Sequence, residues 1–270
     1  MSKIKFQRKF LAIPYGIFLV LFVIVPMVLI VVYAFSNTDP VTNKTTFSFD
    51  NLTTFFSNSY NLHTFLISLA IGLGNTIICL LIGYPIAFIL AKKEYKFSYI
   101  VVLLFIMPMW INFVLRTAAT RDLLFAMGLS GGEHPYISTM IGMVYNYLPF
   151  TILPLYTTML KMDKSLIEAS MDLGANKVQT FVKTIIPMTI PGIVSAASMV
   201  FMPTMSSYVI SDVMGERQIS LIGNIIQLYF DQGLWNLGSF VALILLVIIL
   251  GFMVATRNME KEDTVRGGLW

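Results

Sequence analysis

Residues 168–187 read EASMDLGANKVQTFVKTIIP, a polar stretch between two long hydrophobic runs. Its local signals are those of two short helices. Ser165 followed three residues later by Glu168 is a capping-box pair, which predicts a helix running to about Leu173. Gly174 suits the left-handed position that closes such a helix. Asn176, with Gln179 at the same spacing, predicts the start of a second helix. There Val178, Phe181, Val182 and Ile185 recur at the interval of one helical face, and Pro187 marks the junction with the next apolar run. The element therefore has an apolar and a charged side. That suits either a loop lying on lipid headgroups or a plug for a soluble partner.

The surroundings fix the class. Of 270 residues 57% are hydrophobic and 12% charged, against about 25% charged in a soluble domain. Six apolar stretches, at residues 10–35, 64–91, 98–115, 136–160, 188–211 and 237–256, each have the length to cross a bilayer. Lipid leaves no partner for an open strand edge, so the prediction is an all-α membrane protein with six transmembrane helices. The third stretch is the shortest and its end is open, with a continuation through Arg116 toward Phe125. The first is longer than the apolar core of a signal peptide and reads as an uncleaved span.

Lysine and arginine set the orientation. The N-terminal segment, the loops at residues 92–96 and 161–187, and the tail together hold 14 of them, and the alternate segments hold 4: Lys44, Arg116, Arg121 and Arg217. This bias places both termini and the 161–187 loop in the cytoplasm. The acids divide evenly, so the outer face is net acidic, as suits a cationic cargo; the positive-inside bias alone would also produce it. Gly72, Gly74, Gly83, Gly192 and the prolines Pro85, Pro149, Pro154, Pro191 and Pro203 allow close helix packing and kinks, or flexing during a transport cycle.

Several chemistries find no support. No G-x-x-x-x-G-K-[ST] string is present to hold ATP phosphates, and no H-E-x-x-H. The single cysteine, Cys79, excludes an intrachain disulfide, and two histidines far apart, His63 and His134, make a metal site an unpromising reading. The string Gly128-Leu129-Ser130-Gly131-Gly132 matches G-x-S-x-G and resembles the motif of six-span intramembrane serine proteases. Its place in a glycine-rich external segment argues for a flexible loop instead.

The opening stretch resembles the cytoplasmic E-A-A-x-x-x-G-x(9)-I-x-L-P loop of ABC importer permeases. Glu168, Ala169, Gly174 and Pro187 match at the right spacing; Ser170, Thr184 and Ile186 replace the second Ala, the Ile and the Leu. The likeness extends to the B-type permease subunits of spermidine/putrescine importers through GYPIAFILAK, MPMWINFVLR, YVISDVMG and LIGNIIQ. It implies a type I ABC importer permease fold in a bacterial cytoplasmic membrane, with residues 1–63 as N-terminus, first span and external loop, 64–256 as a five-span core, and 257–270 as a cytoplasmic tail. It also implies a coupling helix, with Glu168, Ala169, Leu173 and Gly174 docking an ATP-binding cassette subunit. The remaining partners would be a second homologous permease, an extracytoplasmic substrate-binding protein and the bilayer, with no nucleic acid. The chain would hold no cofactor or metal of its own, ATP and Mg being bound by the partner ATPase. Permeases for iron or sulfate share the loop, and a stand-alone channel remains a rival of another class.

For the cargo, Tyr208 and Asp212 stand one turn apart near an outer helix end. An aromatic ring and a carboxylate suit a polyamine cation; an ordinary interfacial tyrosine and a solvated aspartate suit the pattern equally. Trp110, expected mid-span in the third helix, and Gln227 are further candidates for the path.

Overall fold

The computed structural model describes residues 13–38, 45–92 and 97–260, with the side chains of 257–260 excepted. The basic residues Lys3, Lys5, Arg8, Lys9, Lys44, Lys93, Lys96, Lys261 and Arg266, the start of the first apolar stretch and the tail after residue 260 lie outside these.

The described chain is mostly helical. Its elements are α1 (Ile13–Ala34), a two-stranded antiparallel ribbon of β1 (Ser36–Thr38) and β2 (Thr45–Phe47), α2 (Asp50–Ser57), α3 (Ser59–Leu90), α4 (Ser98–Ile106), α5 (Phe113–Ala126), α6 (Pro135–Lys161), α7 (Lys164–Asp172), α8 (Lys177–Ser206), α9 (Tyr208–Met214), α10 (Ile222–Asp231) and α11 (Trp235–Glu260). Two compact units form by contact: Met1–Leu62 with Ile225–Leu246, and His63–Asn224 with Val247–Trp270.

In the first unit Phe35 meets Phe49 and Phe240 edge to face, and Phe55 packs tilted against Phe240. The Asn236 side chain donates to the Ser36 carbonyl oxygen, 2.6 Å away. Such aromatic and polar ties hold the ribbon and α2 to the start of α11.

In the second unit α6 and α8 form the most extensive helix pair. Small residues let them meet: a β-carbon at Gly192 of α8 would lie 2.7 Å from Thr158 Oγ1 and 2.8 Å from its Cβ on α6. Buried hydroxyls and amides then lock neighbouring helices. Asn75 of α3 donates to Thr204 Oγ1 of α8 (2.8 Å), and the Tyr84 and Thr189 hydroxyls share a bond of 2.9 Å. Around these lie two apolar clusters, one with Ile71, Met143, Val200 and Met214, the other with Leu90, Val102, Leu155 and Ala196.

Among the described residues four helices are long and apolar enough to cross a membrane: α1, α3, α8 and the Trp235–Thr256 part of α11. A fifth is possible only as a broken pair, because the third predicted stretch is not a straight span. Met107–Trp110 tighten into a 3-10 turn, and Ser98–Trp110 meets Phe113–Ala126 at 101°. Pro108 begins this tight turn, and Asn112 restarts the chain as N-cap of α5, accepting from the Val114 and Leu115 amides. Trp110 accordingly ends the 3-10 turn at the break, 82% exposed, rather than sitting mid-span. The fourth predicted stretch is the 27-residue α6. It is less apolar than the others because protein, not lipid, covers much of it: Ser138, Thr139, Asn146 and Thr151 are all buried.

The Gly192 contact is tight enough to test. Gly192→Val should destabilise the protein by about 1–3 kcal/mol, read as a lower Tm in detergent. An unchanged Tm would mean that α6 and α8 are not pressed together there.

Candidate functional site

The 163–187 segment folds as two helices, with one cap differing from the prediction. The first starts two residues earlier: Asp163 is the N-cap, its Oδ1 accepting from the Ser165 amide at 2.9 Å. That hydrogen bond holds the exposed Asp163 carboxyl below the usual carboxylate range. Ser165 is therefore inside the helix, the predicted Ser165–Glu168 capping box does not form, and Glu168 stands exposed. Aspartate and serine cap helix starts comparably, but the helix dipole favours the charge of the aspartate.

The other local predictions match. Gly174 has φ +88°, the Ala175 amide donates to the Ser170 carbonyl and the Gly174 amide to that of Met171, the paired bonds of a Schellman closure. Asn176 and Gln179 form a full capping box at 2.9 and 3.0 Å. Ser170 and Thr184, both departures from the E-A-A pattern, meet: Thr184 Oγ1 donates to Ser170 Oγ (3.2 Å), and Ser170 also contacts the Thr180 hydroxyl (3.4 Å). These hydroxyls pin α7 onto the start of α8.

The predicted apolar stripe is split. Phe181–Ile185 form a π turn, whose wider bonds shift the register. Ile185 and Thr180 face inward, while Val182 is exposed and Val178 is 71% exposed. Pro187 does not end a helix either. It follows the π turn inside one continuous α8, so the turn absorbs the ring that would otherwise clash with an α-helical carbonyl. Phe181 stacks edge-on against Tyr84 (5.9 Å) and Phe88 (5.4 Å) of α3. What remains outward is an apolar tip: Leu166, Met171, Val178, Val182 and Leu173, the last 90% exposed.

At the other end, α8 stops at Ser207 and the chain restarts as α9. Tyr208 and Asp212 of α9 line a cavity of about 430 Å³ with Val209, Val213, Arg121, Glu216 and Arg217. The two predicted residues are thus brought together. The Asn224 side chain, from the start of α10, donates to the Asp212 carboxylate, while its own Oδ1 accepts from Ser211 Oγ and the Leu221 amide, both at 2.8 Å. Asn224 therefore orients the carboxylate. Burial pushes the Asp212 carboxyl above its ordinary range, against the pull of the Arg217 charge and the Asn224 bond.

The other candidates lie elsewhere. Gln227 is exposed and donates to Asp231 at 2.9 Å, and neither it nor Trp110 lines this cavity. Arg121, Glu216, Arg217 and Asn224 were missed by sequence reasoning. Glu216 and Arg217, not the adjacent Gly215 (φ −87°), take the positive φ of this turn, +47° and +60°. The cavity is not purely acidic: Asp212 and Glu216 are set against Arg121 and Arg217, and Arg121 is engaged by Asp122 at 2.7 Å.

The Gly-rich loop is pinned rather than flexible. A β-carbon at Gly131 would overlap the Met214 carbonyl, and Gln218 Nε2 donates to the Gly132 carbonyl at 2.9 Å. Ser130 Oγ accepts from the Glu133 amide in this loop after α5 and opens no span.

The sequence profile of binding-protein-dependent transport system inner membrane components matches residues 83–261. The chain belongs to this family. It is a multi-pass inner-membrane protein. It is 36% identical to the spermidine/putrescine transport system permease protein PotB of Escherichia coli K12 over 265 residues, covering 90% of this chain and 96% of that one. Against PotB of Salmonella typhimurium LT2 the identity is 36%, over 96% of both chains. For Haemophilus influenzae PotB it is 34%, over 91% of both. Its fold is that of a chain in the crystal structure of a bacterial ABC transporter involved in the import of the acidic polysaccharide alginate, with a TM-score of 0.67, 15% identity and 94% coverage of each chain.

Ser130→Ala should leave transport unchanged, because the hydroxyl serves only its own loop. Loss of activity in a folded Ser130→Ala protein would revive a nucleophile at this position.

Proposed function

We propose that this chain is a transmembrane permease subunit of an ATP-driven importer of polyamines such as spermidine and putrescine. The observation that carries this is the 36% identity to PotB along 90% of the chain, joined to a cavity holding Tyr208 and an oriented Asp212.

The proposed topology has six spans: α1, α3, the bent α4–α5 pair, α6, α8 and α11. The lysine and arginine bias puts both chain ends and the α7 loop in the cytoplasm. Residues 1–63 then precede a permease core at 64–256, followed by the tail. With no phosphate loop in its sequence the chain relies on a partner to bind ATP and Mg. The exposed tip of α7 and the start of α8 suits that partner: Leu173 at its apex, Ala169 and Gly174 setting its shape, and Glu168 available for an ionic contact because Asp163 does the capping. A second homologous permease would complete the path, and an extracytoplasmic binding protein would deliver cargo to the Asp212 side.

At that mouth the Asp212 carboxylate supplies the charge for one ammonium, and the Tyr208 ring supplies cation–π contact worth about 0.5–2 kcal/mol. Arg121, already held by Asp122, competes less for the acids than a free guanidinium would. Trp110 and Gln227 remain proposals for contact with cargo or partners away from this cavity.

Two measurements test this. In proteoliposomes holding the full complex, Asp212→Asn should cut ATP-driven spermidine uptake roughly tenfold, about 1.4 kcal/mol of lost recognition, while the ATPase subunit still co-purifies. Unchanged uptake kinetics would remove Asp212 from the path. Leu173→Asp should abolish co-purification of the ATPase subunit without lowering the Tm of the permease. Normal assembly would move the docking surface elsewhere.

A further inference from the structure

Among the described residues of the second unit, Arg116 is the one buried charge that none of the foregoing uses. It lies on α5, 7% exposed, and its Nε and Nη1 have no hydrogen-bond partner. The only ion pair among the described residues is Arg121–Asp122, so no carboxylate neutralises it. Its guanidinium lies over the Tyr145 ring, 5.6 Å from the centroid. Asn146 of α6, which donates to Oγ1 of Thr117, the next residue of α5, at 3.4 Å, leaves its own Oδ1 unpartnered. A buried, unpaired charge costs several kcal/mol. Ring contact recovers only part of that, so packing alone is a poor reason for an arginine here.

Its position suggests a better one. Arg121, five residues on along the same helix, lines the Tyr208–Asp212 cavity, so Arg116 stands roughly 7.5 Å from it along the α5 axis, toward the break at residues 107–112. From α6, the Tyr147 hydroxyl donates to Ser207 Oγ at 3.0 Å in the break just before the cavity residue Tyr208. A positive charge held with open N–H donors close to the proposed cation-binding mouth raises the local potential, as the arginines of selective pores do.

We infer that Arg116 is the electrostatic seal of the resting path: its charge, not its shape, stops cations that enter the cavity from passing inward until the spans move. The inference rests on the proposed transport path, but the seal acts on any small cation and is measured without the polyamine.

The test uses the complete transporter, reconstituted with its ATPase subunit, second permease and binding protein, and reads potassium leak without ATP. Arg116→Gln should raise the leak about tenfold, the effect of one unit charge at close range in protein. Arg116→Lys should stay as tight as the unaltered complex. Asn146→Asp, which keeps the arginine but sets a carboxylate against Thr117, the next residue of α5, should leak like Arg116→Gln. A tight Arg116→Gln complex overturns the inference, and so do equal leaks from the Gln and Lys variants, which would mean shape rather than charge. If Arg116→Gln fails to assemble, Asn146→Asp decides: tightness there overturns the seal. Failure of the importer reading is separately visible as absence of ATP-driven spermidine uptake in the unaltered complex.

Discussion

One uninterrupted helix joins the two candidate sites, the exposed α7 tip and the Tyr208–Asp212 cavity. Helix α8 runs for 30 residues from Lys177 to Ser206, roughly 45 Å at 1.5 Å per residue. Its N-terminal end is clamped to α7 through the Ser170, Thr180 and Thr184 hydroxyls and to α3 through Phe181. Its C-terminal end breaks at Ser207 into α9, which carries Tyr208 and Asp212. Since Pro187, Pro191 and Pro203 all lie within it, its continuity depends on local adjustments such as the π turn before Pro187 and on neighbours that hold it straight.

Those neighbours act through small residues and a few polar bonds. In lipid, apolar burial between helices adds little, so close packing and interhelical hydrogen bonds carry the association. The Gly192–Thr158 approach, the Asn75–Thr204 bond and the Tyr84–Thr189 bond space α8 against α6 and α3 from end to end. A push on the α7 loop therefore meets a braced rod rather than a string of hinges. The same economy explains why α6 tolerates Asn146, Thr139 and Thr151: surrounded by protein, it has little lipid to satisfy.

Much of this was legible in the sequence, and the failures have physical causes. Gly174 and the Asn176–Gln179 box are strictly local devices, and they formed as read. The Ser165–Glu168 box did not, because Asp163 stood two residues upstream with a charge that the helix dipole favours. The apolar stripe from Val178 to Ile185 was sound arithmetic for a helix of constant pitch, and the π turn changed the pitch. The third hydrophobic stretch hid a 101° bend because hydropathy reports what lipid accepts, not direction; Pro108 and Asn112 were the available signals. At the cavity, Tyr208 and Asp212 share one helix and were found by spacing. Arg121, Glu216 and Asn224 reach them from other elements, beyond any spacing rule.

The claim that α8 transmits force as a rigid body is open to one direct measurement. The sole native cysteine, Cys79, is buried, so spin labels can be placed selectively at Val178 and Met199, both exposed on α8. In the complete transporter their separation should be about 30 Å and should stay the same, within about 2 Å, between the nucleotide-free and ATP-trapped states. A change of about 5 Å or more, close to one helical turn, would show that the π turn at Phe181–Ile185 acts as a hinge and would contradict the account.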